Sequence, residues 1–331
     1  MNNPALRRFV TRLNPYSTAV VLGLLVIYGA ACAPNFLSTM NLSAILYQYS
    51  IIGLLALGQF IVILTGGIDL SQGSLIALTS ITTALVMSAY GVWAGVAAGI
   101  ALATAMGVIS GLLISRYRMP AFLVTLGMMG IARGLAMQIA NARPVPIHVD
   151  GFISFGSSSL LLIPTSTYIW AAAGLIVLFF LSRRPVGRHI YAVGSSEENS
   201  RLSGINVVSV KLLVYVLSAF LTAIGGVIWT ARLGSGSPVG GQNYELESIA
   251  AVVVGGCSLF GGRGRVDGVI AGVLIFAVIN SVLGLSGISP FWQGMIKGVV
   301  VLLAVALSQI QTTPQASARR EPRRPAPAGG T

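Results

Sequence analysis

The chain has 331 residues, of which 55% are hydrophobic and only 8% charged, and its formal net charge is +12. Soluble proteins carry roughly 25% charged residues, so this composition excludes a water-soluble globular domain and points to an integral membrane protein. Two cysteines, Cys32 and Cys257, lie far apart in apolar runs, and two histidines, His148 and His189, are too isolated to make a metal site, so neither metal nor catalytic residues are expected.

In chain order, Arg7, Arg8 and Arg12 precede an apolar run at 17–33 that ends in "GAACAP". A positive start and small residues imitate a secretory signal, but the run is long enough to span and many more follow. It is read as an uncleaved first helix behind a cytoplasmic arm, 1–16. A bilayer core needs about 20 apolar residues per helix. Further spans are expected near 44–64, 72–90, 92–114, 120–140, 167–182, 211–231, 248–261, 266–284 and 290–308.

The expected fold class is thus an all-α polytopic membrane protein with about ten transmembrane helices, its transmembrane domain covering 17–310. With the N-terminus inside, sixteen of the twenty Lys and Arg fall on the cytoplasmic side, as the positive-inside rule requires. Both termini are expected to be cytoplasmic, in a bacterial inner membrane. The basic loops then face anionic membrane lipids. Nucleic acid is not an expected partner, since no basic stripe interleaved with aromatics appears. The segment 311–331, rich in Pro, Ala and Arg, reads as a disordered tail.

Two glycine-interrupted segments stand out, "LTGGIDLSQGS" at 64–74 and "VGGCSLFGGRGRVDG" at 254–268. Unwound backbone inside a membrane is tolerated where it lines a cavity or is buried in protein, and paired breaks in two halves of a chain point to a translocation path. Asp69 and Ser71 lie in the first break, as path residues or as caps of the following span. Arg133 falls inside the fifth span, facing an aqueous pathway or pairing with an acid such as Asp69. Asn280 and Lys297 are weaker candidates. Glu245 and Glu247 are expected in an outer loop, and Trp93, Trp170, Trp229 and Trp292 as interfacial anchors.

Between the sixth and seventh spans, 183–211 forms a long cytoplasmic loop. "SSEENSRLSGI" has helix grammar: Ser195 as N-cap with Glu198 completing a capping box, Glu197 beside it at the positive helix end, Arg201 in the last turn, and Gly204 as the stop. A helix of about two turns is marginal alone. It either packs on its own domain as a connector or, with Leu202 and Ile205 as its apolar point, docks into a partner. The chain has two lysines, Lys211 and Lys297, and neither stands in a P-loop. Any ATP-driven process must use another polypeptide.

"GGIDLSQGS" at 66–74, "TLGMMGIARG" at 125–134, "GRHIYAVGSSEENSRLSGINV" at 187–207 and "YELESIAAVVVGGCSLFGGRG" at 244–264 resemble, in order and spacing from about 15 to 310, the membrane permeases of bacterial ABC importers of the ribose, xylose and galactose class. The resemblance implies a homodimer on a cytoplasmic ABC ATPase, fed by a periplasmic or lipid-anchored solute-binding protein. ATP and magnesium would sit on the ATPase, with no cofactor on this chain. The docking helix would be Glu197 to Ile205. Cys257 and Phe260 stand where relatives often carry small or hydroxylated residues, so Phe260 would narrow a path lined by the second break. Two other classes stay open: an ABC permease for branched-chain amino acids or nucleosides, and an ion-coupled secondary transporter using Asp69 or Arg133.

Overall fold

The computed structural model describes residues 17–289, 291–300 and 302. The arm 1–16 and the tail 311–331 lie outside the described residues. The chain is predominantly helical, and seven of its described helices are long and apolar enough to cross a membrane. In order they are α2 (Thr39–Leu64), α3 (Gln72–Tyr90), α4 (Val92–Ser115), α5 (Ala121–Ile139), α7 (Thr165–Arg183), α10 (Val207–Leu233) and α12 (Val266–Leu285). A shorter apolar helix, α1 (Ser17–Cys32), precedes them. Between them lie α6 (Asp150–Ser157), α8 (Pro185–Ser195), α9 (Glu197–Leu202) and α11 (Tyr244–Val254). The chain is helical again over 291–300. This is a multi-pass membrane protein.

One expected span is not a crossing helix. The apolar run at 248–261 continues in sequence through Cys257, Leu259 and Phe260, but α11 covers only eleven residues and ends at Val254. At Gly256 the backbone turns with φ +84°, a conformation that disfavours any residue with a Cβ. Eleven residues reach roughly 16 Å, about half the hydrocarbon thickness. The last expected span, 290–308, is described only in its first part.

The core forms around α2, in which every residue from Tyr49 to Leu64 is buried. This helix is apolar all round, as a helix enclosed by others must be. It packs against α10, α7, α11 and α12. On the other side of α10, helix α4 approaches through Gly107 and Gly111. A Cβ at Gly107 would lie 2.9 Å from Tyr215 O, and one at Gly111 would lie 3.1 Å from Leu212 Cα. Such small-residue seams let apolar helices associate where lipid offers no hydrophobic gain. By contrast, Leu24, Ile27, Leu175, Ile176 and Phe179 stand exposed on α1 and α7, as lipid-facing side chains would.

Two very short antiparallel ladders close the loops at one end. β1 (Val145–Pro146) pairs with β4 (Ser235–Gly236), and β2 (Ser159–Leu160) with β3 (Ile163–Pro164). This is called the hairpin end. At the opposite end, Gly262 N donates to Leu64 O at 2.9 Å, and Gly194 packs against both residues. The turn 255–265, the end of α2 and helices α8 and α9 therefore sit together at that end.

Candidate functional site

Two unwound segments enter the helix bundle from opposite ends. The first leaves α2 at Thr65, turns at Gly66 and runs back beside α2 until α3 begins at Gln72. Gln72 Nε2 donates to Leu55 O at 3.0 Å, so α3 starts roughly 13 Å short of the end of α2, at 1.5 Å rise per residue. The second leaves α10 at Gly234 and returns through 235–243 to the start of α11. There Ser248 Oγ donates to Gln72 Oε1 at 2.7 Å. The starts of α3 and α11 thus meet at one buried glutamine, which also donates to Ser218 Oγ of α10 at 3.1 Å.

The inward partner of 64–74 is therefore 234–243, and 254–268 has a different place. That glycine cluster makes the turn between α11 and α12, with Ser258 N donating to Arg263 O at 3.0 Å. Phe260 stands 66% exposed on this turn, beside α8, and is not brought together with Asp69 or Asn280. Cys257 is a free thiol buried beneath Gly264 and Phe60. Burial pushes its thiol up to about 12, so it remains protonated and behaves as a small apolar residue.

Asp69 and Ser71 come together. Asp69 is 2% exposed and its carboxylate accepts from Ser71 N at 3.0 Å, Ser71 Oγ at 2.6 Å and Ser218 Oγ at 2.8 Å. The Ser71 hydroxyl thus goes to Asp69, not to the first turn of α3, although Ser71 occupies the cap position. The carboxylate serves an unwound backbone that has no helix of its own to satisfy it.

Arg133 on α5 is not paired with Asp69. Its guanidinium donates to Pro238 O at 2.8 Å, Gly240 O at 3.0 Å and Gly73 O at 3.4 Å. One side chain therefore holds carbonyls of the second unwound segment and of the first turn of α3, a task suited to the fixed fork of an arginine. Glu245 is the carboxylate that feels its charge. Glu245 and Glu247 do not sit in a solvated outer loop: they occupy the first turn of α11, where the positive helix end favours carboxylates. Glu247 Oε1 meets Lys297 Nζ at 2.6 Å, with the two side chains only 16% and 21% exposed.

Toward the hairpin end, two cavities open beside α2. One of about 200 Å³ lies among α2, α12 and the 291–300 helix, and is lined by Asn41, Tyr49, Asn280 and Lys297 among others. Asn280 Nδ2 donates to the Tyr49 hydroxyl. The second, about 300 Å³, is lined by Trp229, Tyr244 and Arg232, and both share Gln48. Trp229 and Tyr244 stand edge to face with centroids 5.4 Å apart. Trp229 and Trp170 are thus packed inside the protein; Trp170 fills the space over Gly53, whereas Trp93 and Trp292 are exposed as interfacial anchors would be.

The polar loop is built of two helices. In α8, Ile190 and Val193 are buried while Arg188 and His189 face away, a period-3.6 pattern that short apolar spacing hides in the sequence. Helix α9 is capped by Ser196, whose Oγ accepts from Asn199 N at 3.2 Å. Ser195 is the last residue of α8 and its hydroxyl donates to Tyr191 O at 2.9 Å. The expected capping box is therefore shifted by one residue, because two helices abut at 195–196. Glu197 bonds Arg201 at 3.0 Å and also Lys211, tying α9 to α10. Gly204 ends the helix with φ +80°, as its position implies. Leu202 is 81% exposed, while Ile205 packs against the core. Glu198 adds charge to the same first turn.

Asp69, Ser71 and Arg133 were visible in the sequence as polar residues in apolar surroundings. Gln72, Ser218 and Ser248 were not, because uncharged residues in spans are common and only the fold aligns these three.

Residues 41–305 match the family described as the permease component of the branched-chain amino acid transport system. Among curated proteins the chain is 40% identical over 306 residues to the ribose import permease protein RbsC of Escherichia coli (strain K12), covering 90% of this chain and 95% of the relative. It is 36% identical to the L-arabinose transport system permease protein AraH of the same strain, covering 88% and 89%. Against the D-allose transport system permease protein AlsC, again of that strain, it is 35% identical over 89% and 91%. No solved structure matches the chain.

Proposed function

The chain belongs to this family of transport-system permease components, and from that premise we propose that it is the membrane subunit of an ATP-driven importer for a monosaccharide. The observation that carries the reading is the full-length similarity to three permeases whose names specify ribose, L-arabinose and D-allose. A permease component acts with others: a cytoplasmic ATPase that binds ATP and magnesium, and an external solute-binding protein. The proposal includes a homodimer in the lipid bilayer, about ten membrane-embedded segments with α11 and its unwound lead-in counted as one, and both termini in the cytoplasm.

In this reading α9 docks into the ATPase. Glu197, fixed between Arg201 and Lys211, holds the short helix in place, and exposed Leu202 enters the partner's groove. Closure of the ATPase pair moves α8 and α9. Because Gly194 touches both Leu64 and the 261–262 turn, that motion reaches the ends of α2 and α11 directly. Alternating access then follows from rocking around the paired unwound segments. Asp69, Ser71 and Arg133 belong to the frame of this path, and Asn280 to its outer wall. No covalent step occurs on this chain.

An ion-coupled transporter is less well supported, since Asp69 and Arg133 are each occupied by structural hydrogen bonds. The family description names branched-chain amino acids, which keeps leucine as the competing cargo.

The test is purification of tagged protein from native membranes in mild detergent, with Leu202→Asp alongside, together with uptake competed by unlabelled ribose, leucine or adenosine. A P-loop ATPase should co-purify with the parent and not with the variant, and ribose or a related sugar should compete. Recovery of the chain alone, with uptake driven by an ion gradient, would overturn the importer. Competition by leucine only would replace the cargo.

A further inference from the structure

The two cavities beside α2 differ in their walls and share Gln48. The smaller is predominantly polar, with Asn280 and Lys297 facing Tyr49; the larger presents the rings of Trp229 and Tyr244. Three polar atoms of this region have no hydrogen-bond partner among the described residues: Asn280 Oδ1, Trp229 Nε1 and Glu247 Oε2. Each is almost closed off as the structure stands, and an unsatisfied buried polar atom is costly, so a small shift of these side chains toward the cavities, where a hydroxylated ligand or its water can bond them, is favoured.

The cations near the cavities are already engaged. Lys297 is held by Glu247 at 2.6 Å, and the Arg232 guanidinium lies over the Tyr47 ring, 3.7 Å from its centroid. A carboxylate or ammonium group entering here would have to displace one of these pairings. A neutral molecule with hydroxyls on its edge and C–H groups on its face fits both walls without doing so, since convergent polar groups fix its orientation and aromatic rings cover its apolar side.

We propose that the two cavities that share Gln48 form a transit site for a neutral polyhydroxylated ring, its hydroxyls meeting Asn280 and the Glu247–Lys297 pair and its C–H face resting on Trp229 and Tyr244. This rests on the monosaccharide reading above and adds to it the residues that touch the solute. The site lies on the half of the molecule away from α8 and α9, where a solute handed over from outside arrives first. Its apolar and polar contacts are divided between α2, α10, α11, α12 and the 291–300 helix, so relative movement of these elements takes the site apart and releases the solute.

The test uses full-length protein in right-side-out vesicles of cells that retain its partners, in a background of Cys32→Ser and Cys257→Ala. Gln48→Cys reports on the cavity, Ser281→Cys on the same polar wall is the second reporter if the first fails to reach the membrane, and Met40→Cys, at a position 84% exposed, is the control. Each is labelled with a water-soluble thiol reagent in the presence of concentrated D-ribose, L-arabinose or D-allose, L-leucine, or betaine at equal osmolarity. At least one sugar should slow labelling of the cavity cysteine several-fold, with leucine and betaine without effect and the control unchanged. No labelling of either cavity cysteine, or equal rates with every sugar in cells whose uptake those sugars compete, would overturn the transit site and leave the monosaccharide importer standing. Protection and uptake competition by leucine alone would overturn both.

Discussion

The two unwound segments are held by opposite chemistry. Between Leu64 and Gln72 the chain supplies its own anion: Asp69 gathers the Ser71 amide, the Ser71 hydroxyl and the Ser218 hydroxyl. Between Leu233 and Tyr244 the chain has no ionisable residue, and its carbonyls at Pro238 and Gly240 are held by a cation borrowed from α5. The first segment is tied to α10 through Ser218 and to α5 by one neutral bond, Thr125 Oγ1 donating to Ile68 O at 3.1 Å. The second depends on α5, a helix that also carries exposed side chains at Leu123, Leu126 and Ile131. Movement of α5 is therefore transmitted to 234–243, through Gly73 O to the start of α3 and through Thr125 to Ile68, while the Asp69 carboxylate stays tied to α10.

The largest effect should come from Arg133→Leu, which leaves carbonyls of both elements without their donor and Glu245 without its counter-charge. A loss of about 3 kcal/mol or more is expected, seen as low yield and a sharply reduced melting temperature of the purified protein. Arg133→Lys keeps the charge but not the fork and should recover only part of the loss. Equal stability of the leucine variant would mean that 234–243 is held by β4 and its own turns, and the borrowed-cation account fails.

Asp69→Ala comes next, at about 1–3 kcal/mol, because the two hydroxyls can turn to other acceptors whereas the carbonyls at Arg133 cannot change role. Asp69→Asn keeps one acceptor oxygen and should lose less than the alanine variant. Were the two variants equally stable and both fully active in uptake, the carboxylate would have no structural or transport role. Ser248→Ala, which removes one of three bonds to Gln72, should be milder still, at about 1 kcal/mol, with uptake retained.

The same contrast explains what could be read from the sequence. Asp69 and Arg133 stood out because a charge in an apolar run is costly unless something nearby requires it. Most helices were legible because apolar length dominates the signal. The pairing of the breaks was not: "GSGSPVGG" at 234–241 and "GGCSLFGGRG" at 255–264 are both glycine-rich, and composition alone does not distinguish a chain turning at the surface from one entering the bundle. What separates them is which helices lie alongside, and that is set by tertiary packing. Gln72 illustrates the point. Its bonds to Leu55, Ser218 and Ser248 join four helices, yet in the sequence it is one uncharged residue before a glycine.

The smallest effect belongs to the exposed loop, where the polar groups retain water as an alternative partner. Ser196 caps α9 through the Asn199 amide, whereas Ser195 bonds back into α8. An N-cap Ser→Ala change costs about 1 kcal/mol, but a six-residue helix frays on its own without unfolding the bundle, so the global melting temperature should stay unchanged in both Ser196→Ala and Ser195→Ala. The difference should appear locally, as faster amide exchange over 197–202 in Ser196→Ala alone. If α9 is the element that docks, that fraying must be reversed on binding, and the same variant should hold its ATPase several-fold more weakly while Ser195→Ala holds it normally. Equal exchange in the two variants would return the cap to Ser195; faster exchange with unchanged ATPase binding would separate α9 from the docking surface.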